Sequence, residues 1–190
     1  MRLRQGRLVA RQQQTLQGYG QRRASAHVEF AWRVHGALES WTAKVDMKAS
    51  ILLGFQGGAF IFALTSRELV LVSSDRRPVW VGAGGIGLLM TAMALAAVAV
   101  LPALGSVRRH RVDFPNRWIY FGHIRLWEST ALAARLARLT ERDEVQALSA
   151  QLVAMSRLSW RKHRLLQGSV ALTLLSMLTL AGAAGLRMGT

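Results

Sequence analysis

Three stretches of the chain carry no Asp, Glu, Lys, Arg or His. They are residues 49–66 (18 residues), 79–104 (26 residues) and 168–186 (19 residues). A helix needs about 20 apolar residues to cross about 30 Å of hydrocarbon. The second run meets that length outright and the third is adequate. The first is short and contains Gln56, but a helix entering from upstream can complete it. A buried helix of a soluble protein seldom runs this far without a charge on its solvent side. Small residues are frequent in the runs, among them Gly54, Gly57 and Gly58, the glycines of 82–87, and Gly182 and Gly185. Such residues let membrane helices approach closely and favour a homo-oligomer.

Between the runs the pattern is helical. Val28, Ala31, Trp32, His35, Leu38, Trp41 and Val45 recur at steps of mainly three and four residues. This predicts one amphipathic helix over 24–48 that flows without a break into the first apolar run. Pro115 and Asn116 form a stop and a cap. From Arg117 a second helix is expected, with Phe121, Ile124, Trp127, Ala131, Ala134 and Leu139 facing inward. Thr140 with Asp143 resembles a capping box and places a break there. A third helix then uses Val145, Leu148, Leu152, Met155, Leu158 and Leu166 and continues into the last run. The expected organisation is a basic flexible tail at 1–23, a cytoplasmic helix at 24–48, spans at 49–66, 79–104 and 168–186, and a cytoplasmic helical hairpin at 105–167. The fold class is thus an all-α membrane protein whose three transmembrane helices continue into a cytoplasmic helical bundle.

Charge orients this arrangement. The chain has 25 Lys plus Arg against 10 Asp plus Glu, a formal charge of +15. Of the basic residues, 9 lie in 1–48 and 12 in 105–167, while Arg187 alone follows the last run. The positive-inside rule puts the N-terminus and 105–167 in the cytoplasm, and the 67–78 loop and C-terminus outside. A basic, apolar chain could also suit nucleic acid. The segregation of charge from apolar runs points instead to a lipid bilayer as partner, with no nucleic acid. The first 23 residues show no apolar core of a secretory signal.

Candidate chemistry is sparse. Cys is absent, which excludes disulfides, thiolate metal sites and cysteine nucleophiles. No HExxH, Walker, GxSxG or dinucleotide-binding pattern occurs in its required context, so no catalytic or metal site is expected and the protein is not read as an enzyme. Trp80 suits an outer interfacial belt and Trp160 an inner one. Trp32, Trp41, Trp118 and Trp127 fit core packing or, with many nearby Arg, stacking on a nucleobase. Asp46 and Lys48 stand two residues apart at the mouth of the first run, so they point to different sides of one helix and cannot pair with each other. Arg161 and Lys162 lie at matching depth before the last run. Asp46 is expected to face one of them, and Lys48 a lipid phosphate or another acid, because an unpaired charge near hydrocarbon is costly.

Three blocks, in order, carry a resemblance. Trp41–Gly54 contains Asp46, Lys48, Ala49 and Ser50. Asn116–Gly122 reads NRWIYFG, and Met155–Leu166 reads MSRLSWRKHRLL. Together they resemble the transmembrane effectors of Pycsar antiphage systems over about residues 28–185, some of which are labelled plasmid-transfer membrane proteins. The resemblance implies activation by cyclic UMP or cyclic CMP from a partner pyrimidine nucleotide cyclase, followed by impairment of the inner membrane and abortive infection. It puts Asp46, Lys48, Ser50, Asn116, Tyr120 and Lys162 on signature positions. With Arg161 these are the candidate coupling or ligand-sensing residues. The alternatives are a structural or plasmid-transfer membrane protein, or a small oligomeric channel without nucleotide control.

Overall fold

A computed structural model describes residues 2–66, 76–102, 111–114 and 117–188, with side chains from residue 26 onward. Among the described residues five helices are defined: α1 (Arg2–Thr65), α2 (Arg76–Val100), α3 (Phe121–Ile124), α4 (Ser129–Ala137) and α5 (Glu141–Met188). No strand occurs among the described residues. The protein is all-α, with three apolar helices long enough to span a membrane, 26–65 within α1, α2, and α5. The expected continuity of the first and last spans with the helices that lead into them is seen in α1 and α5. The α1 backbone is already helical at Arg2, where a flexible tail was expected. That stretch has no Pro and is rich in Arg and Gln, which favour helix. Pro115, Asn116 and the 67–75 part of the outer loop lie outside the described residues.

The chain divides into two compact units. The first takes residues 1–39 and 104–156, the second 40–103 and 157–190. In the second unit the buried positions of α2 are Pro78, Gly82, Gly85, Leu89, Ala92, Ala96 and Ala99. Their spacing alternates four and three, the heptad spacing of left-handed helix packing. Val45, Ala49, Gln56 and Ala63 on α1, and Ser159, Lys162, Ser169, Thr173, Ser176 and Ala183 on α5, fall on the same repeat. Apart from Leu89 and Val45, the seam is built mainly from small and polar residues. The large apolar ones, Ile51, Phe55, Phe62, Leu174 and Leu178 among them, point outward, as lipid-facing residues do. Gly85 shows how closely α2 and α5 approach: a Cβ there would stand 2.8 Å from Leu180 Cγ and from Thr179 Oγ1. Trp80 and Trp160 are both exposed, at 72% and 69%.

The first unit departs from the expected hairpin. In place of one helix from Arg117 to Leu139 there are two short ones, α3 and α4, separated by a turn at 125–128. Glu128 is extended at the N-terminus of α4. Trp127 folds back so that its Nε1 donates to the Arg117 carbonyl at 3.4 Å, and its ring meets Phe114 edge-on at 5.5 Å. This turn removes the periodicity on which the inward positions rested. Phe121, Ile124, Ala131 and Ala134 are exposed, whereas Trp127 and Leu139 are half-buried. The expected break at Thr140 is present. The Thr140 N–H donates to Asp143 Oδ2 at 3.2 Å and the Asp143 N–H donates to Thr140 Oγ1 at 3.2 Å, a reciprocal cap on α5. Along α5, Leu148 is fully buried, Leu152 and Met155 half-buried and Val145 exposed. On α1 the stripe is narrower than expected. Leu38 is buried but Trp32 is exposed, its Nε1 donating to Glu144 at 2.8 Å. Trp41, in the other unit, is exposed as well.

Candidate functional site

The second unit contains a close charge pair. Lys162 Nζ donates to Asp46 Oδ1 at 2.6 Å, with the lysine side chain 8% exposed and the aspartate 36%. Lys162 occupies a seam position of α5, so its ammonium is cut off from water and needs an anion close by. Asp46 stands on α1 where it can reach it. Arg161, the next residue, is exposed, and so is Lys48. Of the two cations considered for Asp46, the partner is therefore Lys162. Ser50, one turn along α1, donates its hydroxyl to the Asp46 carbonyl at 2.9 Å. Three of the candidate residues thus form one local group: Asp46, Ser50 and Lys162.

Further along the seam stands a polar ladder whose serines and threonine were not singled out from sequence. Gln56 Nε2 donates to Ser169 Oγ at 2.9 Å and to Thr173 Oγ1 at 2.7 Å. Ser169 donates to the Ala92 carbonyl at 2.8 Å and Ser176 to the Gly85 carbonyl at 2.7 Å. Thr173 donates to the Ser169 carbonyl one turn back. Gln56, Ser169 and Ser176 are fully buried. In hydrocarbon each such donor must find an acceptor within the protein. The sequence signal was available: Ser169, Thr173 and Ser176 repeat at four and three residues inside an uncharged run, which puts them on one face.

The first unit holds an open cleft of about 600 Å³. Arg117, Trp118, Arg135, Asp143 and Gln146 line it, with Ala147 and Ala150 of α5 as its floor. The Arg135 guanidinium lies over the Trp118 ring, 4.9 Å from its centroid. Each arginine stands beside a carboxylate at more than hydrogen-bonding distance: Arg117 Nε to Asp113 at 3.8 Å, Arg135 Nη2 to Asp143 at 3.7 Å. Asp143 is held below its ordinary carboxylate value of 3.8 by the Thr140 hydroxyl first, then the Thr140 N–H, with Arg135 contributing after desolvation opposes. Arg135 Nε is buried with no hydrogen-bond acceptor among the described residues. Tyr120 lies in an adjoining crevice with Arg117 and Trp118. Its ring packs on Phe121 at 4.4 Å and edge-on to the buried His123 at 5.5 Å. Asn116 is outside the described residues. No group of three His, Asp or Glu suited to a metal ion occurs among the described residues.

An apolar three-helix seam with hydrogen-bonded polar rungs, joined in one chain to a charged helical unit without catalytic motifs, defines a helical membrane protein. The model of the Pycsar effector protein domain, PycTM, matches residues 30–189, and the chain belongs to that family. No curated protein matches it. No solved structure matches it either.

Proposed function

We propose that the protein is a membrane effector of a Pycsar antiphage system, switched on by a cyclic pyrimidine nucleotide, cyclic UMP or cyclic CMP, that a companion cyclase makes. Family membership over residues 30–189 carries this reading. In it, the N-terminus and residues 105–167 lie in the cytoplasm, the C-terminus lies outside, and the ligand is sensed on the cytoplasmic side. Activation impairs the inner membrane without any covalent chemistry. Asp46 and Lys162, with Ser50, are the coupling group. Lys48 and Arg161, both exposed, meet lipid phosphate or a neighbouring subunit, and Asn116 and Tyr120 belong to the sensing side.

Three spans are too few to enclose a wide path, so the active form is a homo-oligomer. The open face of α1 supports this. Nothing lies within 4 Å of where a Cβ would stand at Gly54, Gly57 or Gly58, leaving room for a second helix to approach closely.

The test uses the full chain in liposomes loaded with a fluorescent dye. Cyclic UMP or cyclic CMP should release dye at a rate about tenfold or more above the basal leak, and cyclic AMP should not. Equal leakage with and without each cyclic pyrimidine nucleotide would overturn the reading. Reporter fusions at residue 72 should be labelled from outside and those at residue 142 from inside.

A further inference from the structure

We infer that the cleft bounded by Trp118, Arg117, Arg135 and Gln146 is a nucleotide site, which takes a monoanionic cyclic phosphodiester on its two arginines and a base on the Trp118–Arg135 pair. The inference rests on the nucleotide reading above and names the place where the ligand is received. Its volume of about 600 Å³ falls in the range of small-molecule sites, about 300–1,000 Å³.

The cleft presents two arginines that can exchange loosely held carboxylates for a ligand's oxygens. Both arginines stand near carboxylates, but at 3.8 and 3.7 Å, beyond the length of about 2.7–2.9 Å that a charge-assisted hydrogen bond takes. They are therefore compensated in charge without being committed in geometry. Asp143 depends on Arg135 less than on Thr140, whose hydroxyl and N–H hold its carboxylate. Arg135 can turn to a phosphodiester and leave Asp143 bonded to Thr140. Its Nε has a proton and no acceptor among the described residues, a donor that a ligand oxygen can meet once the side chain turns. A guanidinium presents its donors as a planar fork, the geometry that phosphate oxygens accept.

The aromatic side favours a nucleotide over a bare anion. The Arg135 guanidinium lies over the Trp118 ring at the cleft wall. Bases stack both on aromatic rings and on arginine planes. Gln146 lines the same cleft and offers a carbonyl and an amide, the donor and acceptor pair that can read a base edge. Inorganic phosphate would use the arginines and leave both of these features idle.

The experiment measures binding by titration calorimetry on the full chain in detergent micelles, with cyclic UMP, cyclic CMP, cyclic AMP and inorganic phosphate as probes. Wild-type protein should bind a cyclic pyrimidine nucleotide, and phosphate far more weakly. Arg135→Gln and Trp118→Leu should each weaken nucleotide binding about tenfold or more, the loss of one stacking or charge-assisted contact. Trp160→Leu, an exposed tryptophan of the other unit, should bind as wild type. Far-ultraviolet circular dichroism checks that each variant is folded; if Arg135→Gln is not, the exposed Gln146→Ala variant reads the same cleft. Unchanged nucleotide affinity in the folded cleft variants would overturn the cleft and leave the effector reading standing. Absence of any cyclic nucleotide binding by the wild type would overturn both. Phosphate binding as tight as nucleotide binding would overturn the base contact and leave a simple anion site.

Discussion

In the second unit Ser169 and Ser176 of α5 donate to α2 carbonyls at 2.8 and 2.7 Å, and Lys162 meets Asp46 at 2.6 Å. In the first unit the charged side chains of the cleft stand 3.7 and 3.8 Å from their carboxylates, and α4 contributes no fully buried residue. The contrast follows from the surroundings each unit is built for. Where hydrocarbon faces the helices, water cannot satisfy a polar group, and close bonding within the protein is the only way to keep one there. Where water is available, loose pairs cost little. A tight seam and a loosely paired cleft are suited to different tasks: the first holds a packing arrangement and the second can exchange its partners for a ligand.

The largest expected effect probes the tight side. Gly85→Leu forces a side chain into Leu180 and Thr179 and should cost about 3 kcal/mol, read as a lower Tm in detergent. Gly84→Leu, beside it but with nothing within 4 Å of its Cβ position, should stay within about 0.5 kcal/mol. Equal losses at both positions would break the claim that the seam is close-packed.

Next comes the charge pair. Asp46→Asn and Lys162→Gln should each cost about 2 kcal/mol, between exposed and buried pairs, because Asp46 keeps some contact with water. The double variant should cost less than the sum of the two. Arg161→Gln, removing an exposed neighbour, should change little. Additive losses would remove Asp46–Lys162 from the coupling group.

A smaller effect is expected in the first unit. Thr140→Ala removes the hydroxyl that caps α5 and helps keep Asp143 ionised. Since the folded carboxyl lies below the ordinary 3.8, its contribution is present above that pH and is lost as pH falls through the folded value. The Tm gap between wild type and Thr140→Ala should therefore be widest near neutrality and narrow below about pH 4. A gap that does not change with pH would assign the cap to the hydroxyl alone.

The smallest effect is at Gln56→Leu, about 0.6 kcal/mol, the usual worth of a hydrogen bond between membrane helices. Ser169 and Thr173 keep their main-chain acceptors without Gln56, which limits the loss. A cost of several kcal/mol would mean that the ladder depends on its glutamine, not on its serines.

Much of the tight side could be read from sequence, because it depends on period and charge. Uncharged length located the helices that form the spans, and the two-residue offset of Asp46 and Lys48 ruled out an internal pair and pointed Asp46 toward the Arg161–Lys162 dipeptide. Trp32 and Trp41 were placed on the buried stripe because hydrophobicity was read without size. In the second unit the seam selects small residues, and the Trp41 indole does not fit where Val45 and Ala49 do; in the first unit Trp32 turns outward and bonds Glu144. The cleft was not legible. Trp118 and Arg135 are 17 residues apart, and only the turn at 125–128 brings them together. At that turn Trp127 reaches back to the Arg117 carbonyl, a tertiary contact that no helical period encodes.

Ser169 opposite Ala92 and Ser176 opposite Gly85 also define how α2 and α5 can slide. Both residue sums are equal, so the helices run antiparallel in one register, and both partners advance by seven. A serine that bonds to main chain cannot tell one turn from another. If α2 slid by one heptad along α5, about 10 Å, Ser176 would find the Ala92 carbonyl and Ser169 that of Ala99, and these two hydrogen bonds would register no difference. Leu180 would, because it now sits where Gly85 has no Cβ, and in the shifted register it would meet the methyl group of Ala92. Shifted the other way, it would meet the ring of Pro78. The rungs are interchangeable and the notch is unique, so the absence of one methyl group on α2 selects a single seat among otherwise equivalent ones.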